Sequence, residues 1–403
     1  MVLAARMGCS CCAAIKKCDV VFAGWRVHRE ASNRSKAPKA RKPKTAMWPY
    51  LAFILFFTVS AMGVRRQTIS SVWAATCFAV ITVFVGLRHH VGMDWNNYLR
   101  QMGAVAWSSH SGSIFDIAEP GYALLLYISS LSGIGIYFAN LVTAAIFAAG
   151  LVAFARRCPT PRLALLAGIP FFTVVVAMSA NRQALAAGIL MLIFAHWNRA
   201  TPIAKLAVIA LASCFHVSAL IFMLFVGLDL KMPKVVKYFA AALAGVVIIY
   251  ILSQTGRLDY AQETYLSQEE YAQSSGSYLQ MLLTVTPALA LPLLWRKRHI
   301  LFGNRLVFQM AIFALLLTPL GYFFPVATAR ALIYVFPMTM FVFSAVPYMF
   351  QEKNRPLILL GLAIVFVAQM VAWLTFSANA IAHFPYDNFL MIDIFEWETG
   401  VLN

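Results

Sequence analysis

The chain has 403 residues, of which 61% are hydrophobic and only 12% are charged, and its mean hydropathy is +0.75. These values exclude an ordinary soluble domain and predict an integral membrane protein. The formal net charge of +17 must therefore be divided between the two sides of a membrane before it indicates a partner, and we expect no nucleic acid among the partners.

The first 46 residues form a separate region that is rich in positive charge. They contain eleven Lys or Arg and two acidic residues, a composition typical of a disordered segment. Their four cysteines (Cys9, Cys11, Cys12 and Cys18) do not have the spacing of a metal site. Two explanations remain open: translation starts at Met47, which we favour, or the segment is a cytoplasmic arm that lies on anionic lipid.

Apolar segments then recur along the chain, and most are long enough to cross a hydrocarbon core about 30 Å thick. We place spans near 47–64, 69–87, 134–155, 163–179, 184–198, 203–215, 217–230, 238–253, 278–295, 306–324, 331–349 and 357–376. A further apolar piece, 121–131, is too short to cross at about 1.5 Å per residue and is interpreted as a half-helix. The expected fold is all-α and polytopic, with about twelve transmembrane helices in a domain 47–376 and an outer tail 377–403.

The distribution of basic residues predicts the orientation. If the loops after odd-numbered spans face the cytoplasm, they hold sixteen Lys or Arg, whereas the opposite loops hold five arginines and no lysine. This is a clear positive-inside bias. The five arginines on the predicted outer face are Arg88, Arg100, Arg182, Arg257 and Arg330.

Two pairs of spans are short, and each pair is interrupted by a polar residue. The pieces on either side of Arg182 and of His216 are expected to meet near the outer half of the membrane. Broken helices are tolerated where their ends line a cavity rather than lipid. The sequence therefore predicts a cavity that opens to the outer face.

Several polar residues near this cavity have both a functional and a structural interpretation. Arg182 stands at a span entrance, where its donor fork suits a phosphate or a carboxylate. Asp94, in LRHHVGMDW, and Glu119, in EPGY, are each equally consistent with helix caps. His216, alone between apolar pieces, is more often a packing residue than a catalyst.

Taken in order, the motifs LRHHVGMDWNNY, EPGYALLLYI, ANRQALAAGILM, FHVSALI and FPYDNF resemble the EpsG-type, Wzy-like polysaccharide polymerases. The resemblance covers most of residues 47–390. The chain departs from the family pattern at Met93, where the family more commonly has Thr, and at Trp95, where it more commonly has Tyr. The first 46 residues are also atypical of the family.

The resemblance implies a glycosyltransferase that needs no cofactor. Such an enzyme joins undecaprenyl-pyrophosphate-linked oligosaccharide repeat units into exopolysaccharide, capsule or O-antigen at the outer face of the bacterial cytoplasmic membrane. Its implied partners are the lipid-linked glycan, the bilayer, a flippase and a chain-length regulator. Two alternatives stay open: an O-antigen-ligase-like transferase, and a lipid-linked-sugar flippase or secondary transporter.

Residue roles follow as expectations. Arginines on the outer face would stabilise charge that grows on the leaving pyrophosphate, and the acceptor hydroxyl needs a base within reach. No spacing of acidic residues demands a metal ion. The expected pyrophosphate contacts are Arg88, Arg182 and Arg330. The candidate bases, in order of preference, are Asp94, His216 and Glu119. The expected supporting residues are Asn181, Gln183 and Tyr122.

Overall fold

The computed structural model describes residues 47–62, 68–108, 113–230 and 275–391, and the separate positions 233, 235, 236, 239 and 243. The expectations for the basic segment 1–46, for Arg257, for most of the span at 238–253 and for residues 392–403 lie outside the described residues.

The described chain is built almost entirely of helices, which confirms the all-α fold class. Its α-helices are α1 (Trp48–Met62), α2 (Ser71–Gly86), α3 (Trp95–Ser108), α4 (Pro120–Leu131), α5 (Ile136–Ala155), α6 (Pro161–Gly168), α7 (Asn181–Phe194), α8 (Pro202–Ser213), α9 (Phe222–Asp229), α10 (Ser275–Leu293), α11 (Arg298–Leu301), α12 (Arg305–Leu317), α13 (Pro325–Ile333), α14 (Phe336–Ala345) and α15 (Arg355–Phe376). Two short strands, β1 (Arg88–His89) and β2 (Asp387–Asn388), complete the regular structure together with a π-helix and several 3₁₀ turns.

The described helices differ from the expected twelve spans in length. Four of them are long and apolar enough to cross a membrane: Ile136–Ala155, Gly276–Leu293, Arg305–Tyr322 and Glu352–Phe376. A fifth is obtained if Pro325–Ile333 and Phe336–Met349, which meet at a bend of 58°, form one span. Seven further apolar helices have 10–17 residues, so about twelve complete spans are not confirmed. The apolar helices nevertheless establish a membrane protein.

One break interrupts the chain immediately before α7. Helix α6 continues as a π-helix, Ile169–Ala177, whose second residue is Pro170. Proline removes a backbone donor and favours such irregular turns. At Ala180 the backbone leaves helical geometry (φ −103°, ψ 70°), and α7 starts at Asn181. The chain thus brings the polar residues Asn181, Arg182 and Gln183 to a helix start.

Helices α5 and α7 cross at very close range. A Cβ atom added to Gly150 would lie 2.1 Å from the carbonyl oxygen of Gly188, so only glycine fits at this crossing. The contact fixes how far α7 lies along α5. It thereby determines which residues of α5 lie beside the first turn of α7.

The C-terminal segment packs back onto the loop after α2. Strands β1 and β2 pair antiparallel, with Arg88 opposite Asn388. Outside the ladder, Phe389 N donates to Leu87 O at 2.7 Å and Gly92 N donates to Ala382 O at 2.8 Å. Residues 378–391, expected as part of an outer tail, therefore hold the loop that carries Arg88 and Asp94.

Candidate active site

A buried carboxylate joins two of the side chains that the sequence singled out. Glu119 is only 3% exposed at its side chain, and its Oε2 lies 2.8 Å from Arg182 Nη1. Its other oxygen, Oε1, lies 3.0 Å from His216 Nδ1. Glu119 occupies the N-cap position of α4 but its side chain makes no capping hydrogen bond. The helix-cap interpretation of Glu119 is therefore wrong, because the carboxylate is directed at two basic groups instead.

Two local features bring Glu119 and His216 together. Pro120 starts α4, and Gly121 N donates to Cys214 O at 2.8 Å. A Cβ atom at Gly121 would lie 3.0 Å from that oxygen, so glycine permits the close approach. Since His216 follows Cys214 in an extended conformation (φ −157°, ψ 116°), docking α4 on the end of α8 places both side chains at one point.

Arg182 lies at the more accessible side of this cluster. Its side chain is 26% exposed, against 3% for Glu119. A guanidinium has five N–H donors in a fixed fork. Arg182 can therefore hold Glu119 on one side and still offer donors to an anion on the other.

Arg330 and Asp94 extend the site. Gln183 Nε2 donates to Arg330 O at 2.6 Å, which ties α13 to the start of α7, and the side chain of Arg330 is exposed. Asp94 is half-buried. Its pKa is raised above its ordinary value by burial, while the positive charges of Arg330 and Arg182 act in the opposite direction. Both arginines thus act electrostatically on this carboxyl.

Arg88 is placed differently from the other two expected anion contacts. It is 1% exposed, and its guanidinium donates to Val91 O at 3.1 Å, Val85 O at 2.6 Å and Asn181 Oδ1 at 2.5 Å. All three nitrogens are occupied inside the protein. Arg88 therefore orders the loop and the start of α7, and its expected contact with the pyrophosphate stays a prediction.

The loop from Arg88 to Asp94 lies directly on the break before α7. Gly92 has φ +110°, and a Cβ atom there would lie 1.9 Å from Met178 O. Met93 N donates to Ser179 Oγ at 3.3 Å. At the start of the loop, His89 Nδ1 contacts the Tyr137 hydroxyl, and burial lowers the pKa of His89 to about 4. His89 is therefore neutral at physiological pH and acts as a packing residue.

The supporting residues lie behind the cluster. Asn181 is fully buried and its Nδ2 donates to Asn140 Oδ1 at 2.6 Å. The ring of Tyr122, also fully buried, packs edge-on against Tyr98 with 5.6 Å between centroids. Sequence reasoning missed Asn140 and Tyr98. An asparagine inside the apolar run IYFANLVTAAIF was the available signal for Asn140.

Two further points delimit the site. Arg100, on α3, is exposed, and the contacts that join Arg182, Glu119 and His216 do not include it. Within the described residues, no group of three or more His, Cys, Asp or Glu side chains is arranged to hold a metal ion.

Comparison with known proteins identifies one family. The model of the EpsG family matches residues 71–388, well over half of the chain. The matched range includes Asp94, Glu119, Arg182, His216 and Arg330. No curated protein and no solved structure matches the chain.

Proposed function

Since this chain belongs to the EpsG family, with a match over residues 71–388, we propose that it is a glycosyltransferase that polymerises lipid-linked glycans. EpsG-like proteins are Wzy-type polymerases. The proposed substrate is an oligosaccharide repeat unit on undecaprenyl pyrophosphate, and the proposed product is exopolysaccharide, capsule or O-antigen. The proposed location is the outer face of the cytoplasmic membrane, where the positive-inside bias of the sequence predicts Arg182 and Arg330.

The observation that supports this proposal most strongly is the bridge made by Glu119. It brings a partly exposed arginine and a histidine to the two oxygens of one buried carboxylate, at 2.8 Å and 3.0 Å. Transfer of a glycan from a pyrophosphate needs a cation at the leaving group and a proton acceptor at the attacking hydroxyl. Arg182 and His216 supply both functions within one cluster.

The leaving group is assigned to Arg182 and Arg330. As the bond from the anomeric carbon to the pyrophosphate oxygen breaks, negative charge grows on the pyrophosphate. Two arginines preorganised beside it stabilise that charge without further rearrangement, and Arg guanidinium suits phosphate oxygens geometrically. Arg88 supports them indirectly, because it orders the loop and the start of α7.

The base is assigned to His216, which changes the order of the three candidates. Glu119 contacts a permanent cation, and such a carboxylate is a weak base. His216 Nδ1 contacts Glu119, which leaves Nε2 as the nitrogen for the acceptor hydroxyl, in the manner of other carboxylate-oriented imidazoles. Asp94 remains the second candidate.

The proposed step balances as follows. The acceptor hydroxyl oxygen attacks the anomeric carbon of the growing chain, and its proton passes to His216 Nε2. The bond between that carbon and the pyrophosphate oxygen breaks, so undecaprenyl pyrophosphate leaves with both electrons. The energy of the reaction comes from the activated lipid, and neither ATP nor a nucleotide sugar is consumed.

A complementation experiment tests the proposal. In a strain that lacks this gene, surface glycans are separated on a gel after complementation with wild type, with Arg182→Ala, or with Arg100→Ala. We expect polymer with wild type and Arg100→Ala, and only single lipid-linked units with Arg182→Ala at equal membrane content. Arg100 is the matched control, since it is an exposed arginine outside the cluster.

Other outcomes point elsewhere. Polymer that accumulates on its lipid carrier in the deletion strain would identify a ligase. Glycans that do not change on deletion would reject a role in polymerisation and favour transport.

A further inference from the structure

A line of buried polar side chains runs behind the proposed site. Asn140 of α5, Asn181 of α7 and Arg88 of the β1 loop are 1%, 0% and 1% exposed. Asn181 Nδ2 donates to Asn140 Oδ1 at 2.6 Å, and Arg88 Nη2 donates to Asn181 Oδ1 at 2.5 Å. Nothing in the assignment of the leaving-group and base residues uses Asn140.

The hydrogen bonds define the orientation of the Asn181 amide. A guanidinium only donates, so the amide oxygen must face Arg88 and the amide nitrogen must face Asn140. Because the site is closed to water, the alternative to this arrangement is an unsatisfied polar group in an apolar interior. Asn140 is therefore the acceptor that allows Asn181 to bind the buried cation.

The start of α7 connects to three other elements through three consecutive residues. Asn181 bonds to α5, Arg182 to the residue before α4, and Gln183 Nε2 to Arg330 O of α13. Successive residues of an α-helix point about 100° apart. A rotation of α7 that relaxed the first bond would turn Arg182 away from Glu119.

We propose that Asn140 is a positioning residue, which acts through Asn181 to hold the first turn of α7 so that Arg182 faces both Glu119 and the pyrophosphate. This role rests on the proposed polymerase function. It assigns to α5, otherwise an apolar packing helix, a contribution to the rate of glycan transfer.

Three substitutions on α5 separate the acceptor role of Asn140 from its contribution to packing. Asn140→Asp keeps an acceptor oxygen for Asn181 and replaces only Nδ2, a buried nitrogen without a hydrogen-bond partner in the described part of the chain. Asn140→Leu has a similar size and no acceptor. Thr143→Val is the control, because Thr143 lies on the same helix, is 1% exposed, and its hydroxyl also has no partner within the described residues.

The experiment measures elongation of purified lipid-linked repeat units by the full-length protein in detergent or vesicles, with kcat and KM determined separately. We expect Asn140→Leu to lower kcat about 10- to 100-fold, the scale of a small misplacement of a catalytic group, with little change in KM. Asn140→Asp and Thr143→Val should stay within about threefold of wild type, since neither alters the acceptor for Asn181. A thermal melting curve of each purified variant gives the fraction that is folded at the assay temperature, and kcat is calculated per folded molecule.

Each outcome decides between distinct conclusions. Equal kcat values for Asn140→Leu and Asn140→Asp would overturn the positioning role, as would an equal loss in Thr143→Val and Asn140→Leu. A wild-type protein that elongates nothing would instead reject the polymerase function itself. If Asn140→Leu does not accumulate, Asn140→Ser, whose shorter side chain cannot reach Asn181, replaces it with the same expected loss.

Discussion

Two clusters in this protein are built alike and yet differ in what they can do. In each, one carboxylate is shared by two basic side chains. Glu119 contacts Arg182 and His216. Asp229, at the end of α9, contacts Lys205 of α8 and Arg305 of α12, the latter at 3.1 Å.

The difference lies in the basic partners. The ammonium of Lys205 and the guanidinium of Arg305 donate hydrogen bonds and accept none. The ammonium of Lys205 also lies over the Trp197 ring at 4.4 Å. That cluster joins three helix ends on the predicted cytoplasmic side, and its basic partners offer no nitrogen that can accept a proton. The Glu119 cluster contains a histidine, whose neutral imidazole has a nitrogen that can accept a proton, and a partly exposed arginine. A carboxylate shared by two basic side chains is therefore insufficient for chemistry; one of the partners must also be able to accept a proton.

Removal of the imidazole should have the largest effect. We expect His216→Ala and His216→Gln each to lower kcat of polymerisation about 10²- to 10⁴-fold, the usual contribution of a general base. The glutamine amide can still donate to Glu119, so it preserves the contact and removes only the base. Polymerisation by purified protein checks this. Near-normal activity of His216→Gln would show that His216 only supports Glu119, and would restore Asp94 as the leading candidate.

A substitution that breaks the Asp229 cluster should lower stability and leave activity unchanged. Asp229→Asn removes the carboxylate that neutralises Lys205, whose side chain is 5% exposed. Loss of one partner of a buried ion pair destabilises by about 3–5 kcal/mol. We expect a marked fall in melting temperature and unchanged polymerisation per folded molecule.

The matched control for this variant is Glu352→Gln. Glu352 is 89% exposed and lies 3.4 Å from Arg355, and an exposed pair of this kind contributes less than about 1 kcal/mol. If both variants melt at the same temperature, the Asp229 cluster does not contribute to the free energy of unfolding.

The loop over the break before α7 should be sensitive to a single methyl group. At Gly92 the backbone has φ +110°, and a Cβ atom would lie 1.9 Å from Met178 O. Backbone strain of this kind costs about 1–3 kcal/mol, and relief requires the loop with Arg88 and Asp94 to move. We expect Gly92→Ala to lower both melting temperature and activity, whereas Gly103→Ala on α3, with no atom within 4 Å of its Cβ, should be neutral. Equal melting temperatures and activities for the two variants would mean that the loop accommodates the added methyl group without cost.

Hydrophobic pattern and motif order were enough to predict the helical class, the two breaks at Arg182 and His216, and the family. About twelve complete spans are not confirmed in the described part of the chain, because an apolar run does not reveal where Pro170 or the bend before Phe336 divides a helix. The sequence also does not predict the direction in which a side chain points. Arg88 and Arg182 have similar sequence contexts, but one points into acceptors provided by distant segments and the other towards a surface. Glu119 has the local sequence of a cap, and only packing of α4 on the end of α8 gives it basic partners.

The smallest expected effect concerns the acidic limb of the pH profile, and it separates the two remaining bases. Burial raises the pKa of Asp94, and Arg330 counteracts that rise. Arg330→Gln should therefore raise the Asp94 pKa further, and only slightly, because Arg330 is exposed and its charge is screened. If ionised Asp94 is required, activity is lost as the pH falls through this pKa, so the limb should move to higher pH.

The same substitution also removes a positive charge that acts on His216, so the limb must be measured in two backgrounds. If ionised Asp94 is required, Asp94→Asn is inactive at every pH, and that result assigns the limb to Asp94. A shift that persists in Asp94→Asn assigns it to His216, because His216 is then the titrating candidate that still senses Arg330. Arg100→Gln removes an exposed arginine outside the cluster and should leave the limb in place. The persistent shift is the result we expect, since the contact between Glu119 and His216 favours the histidine as the base.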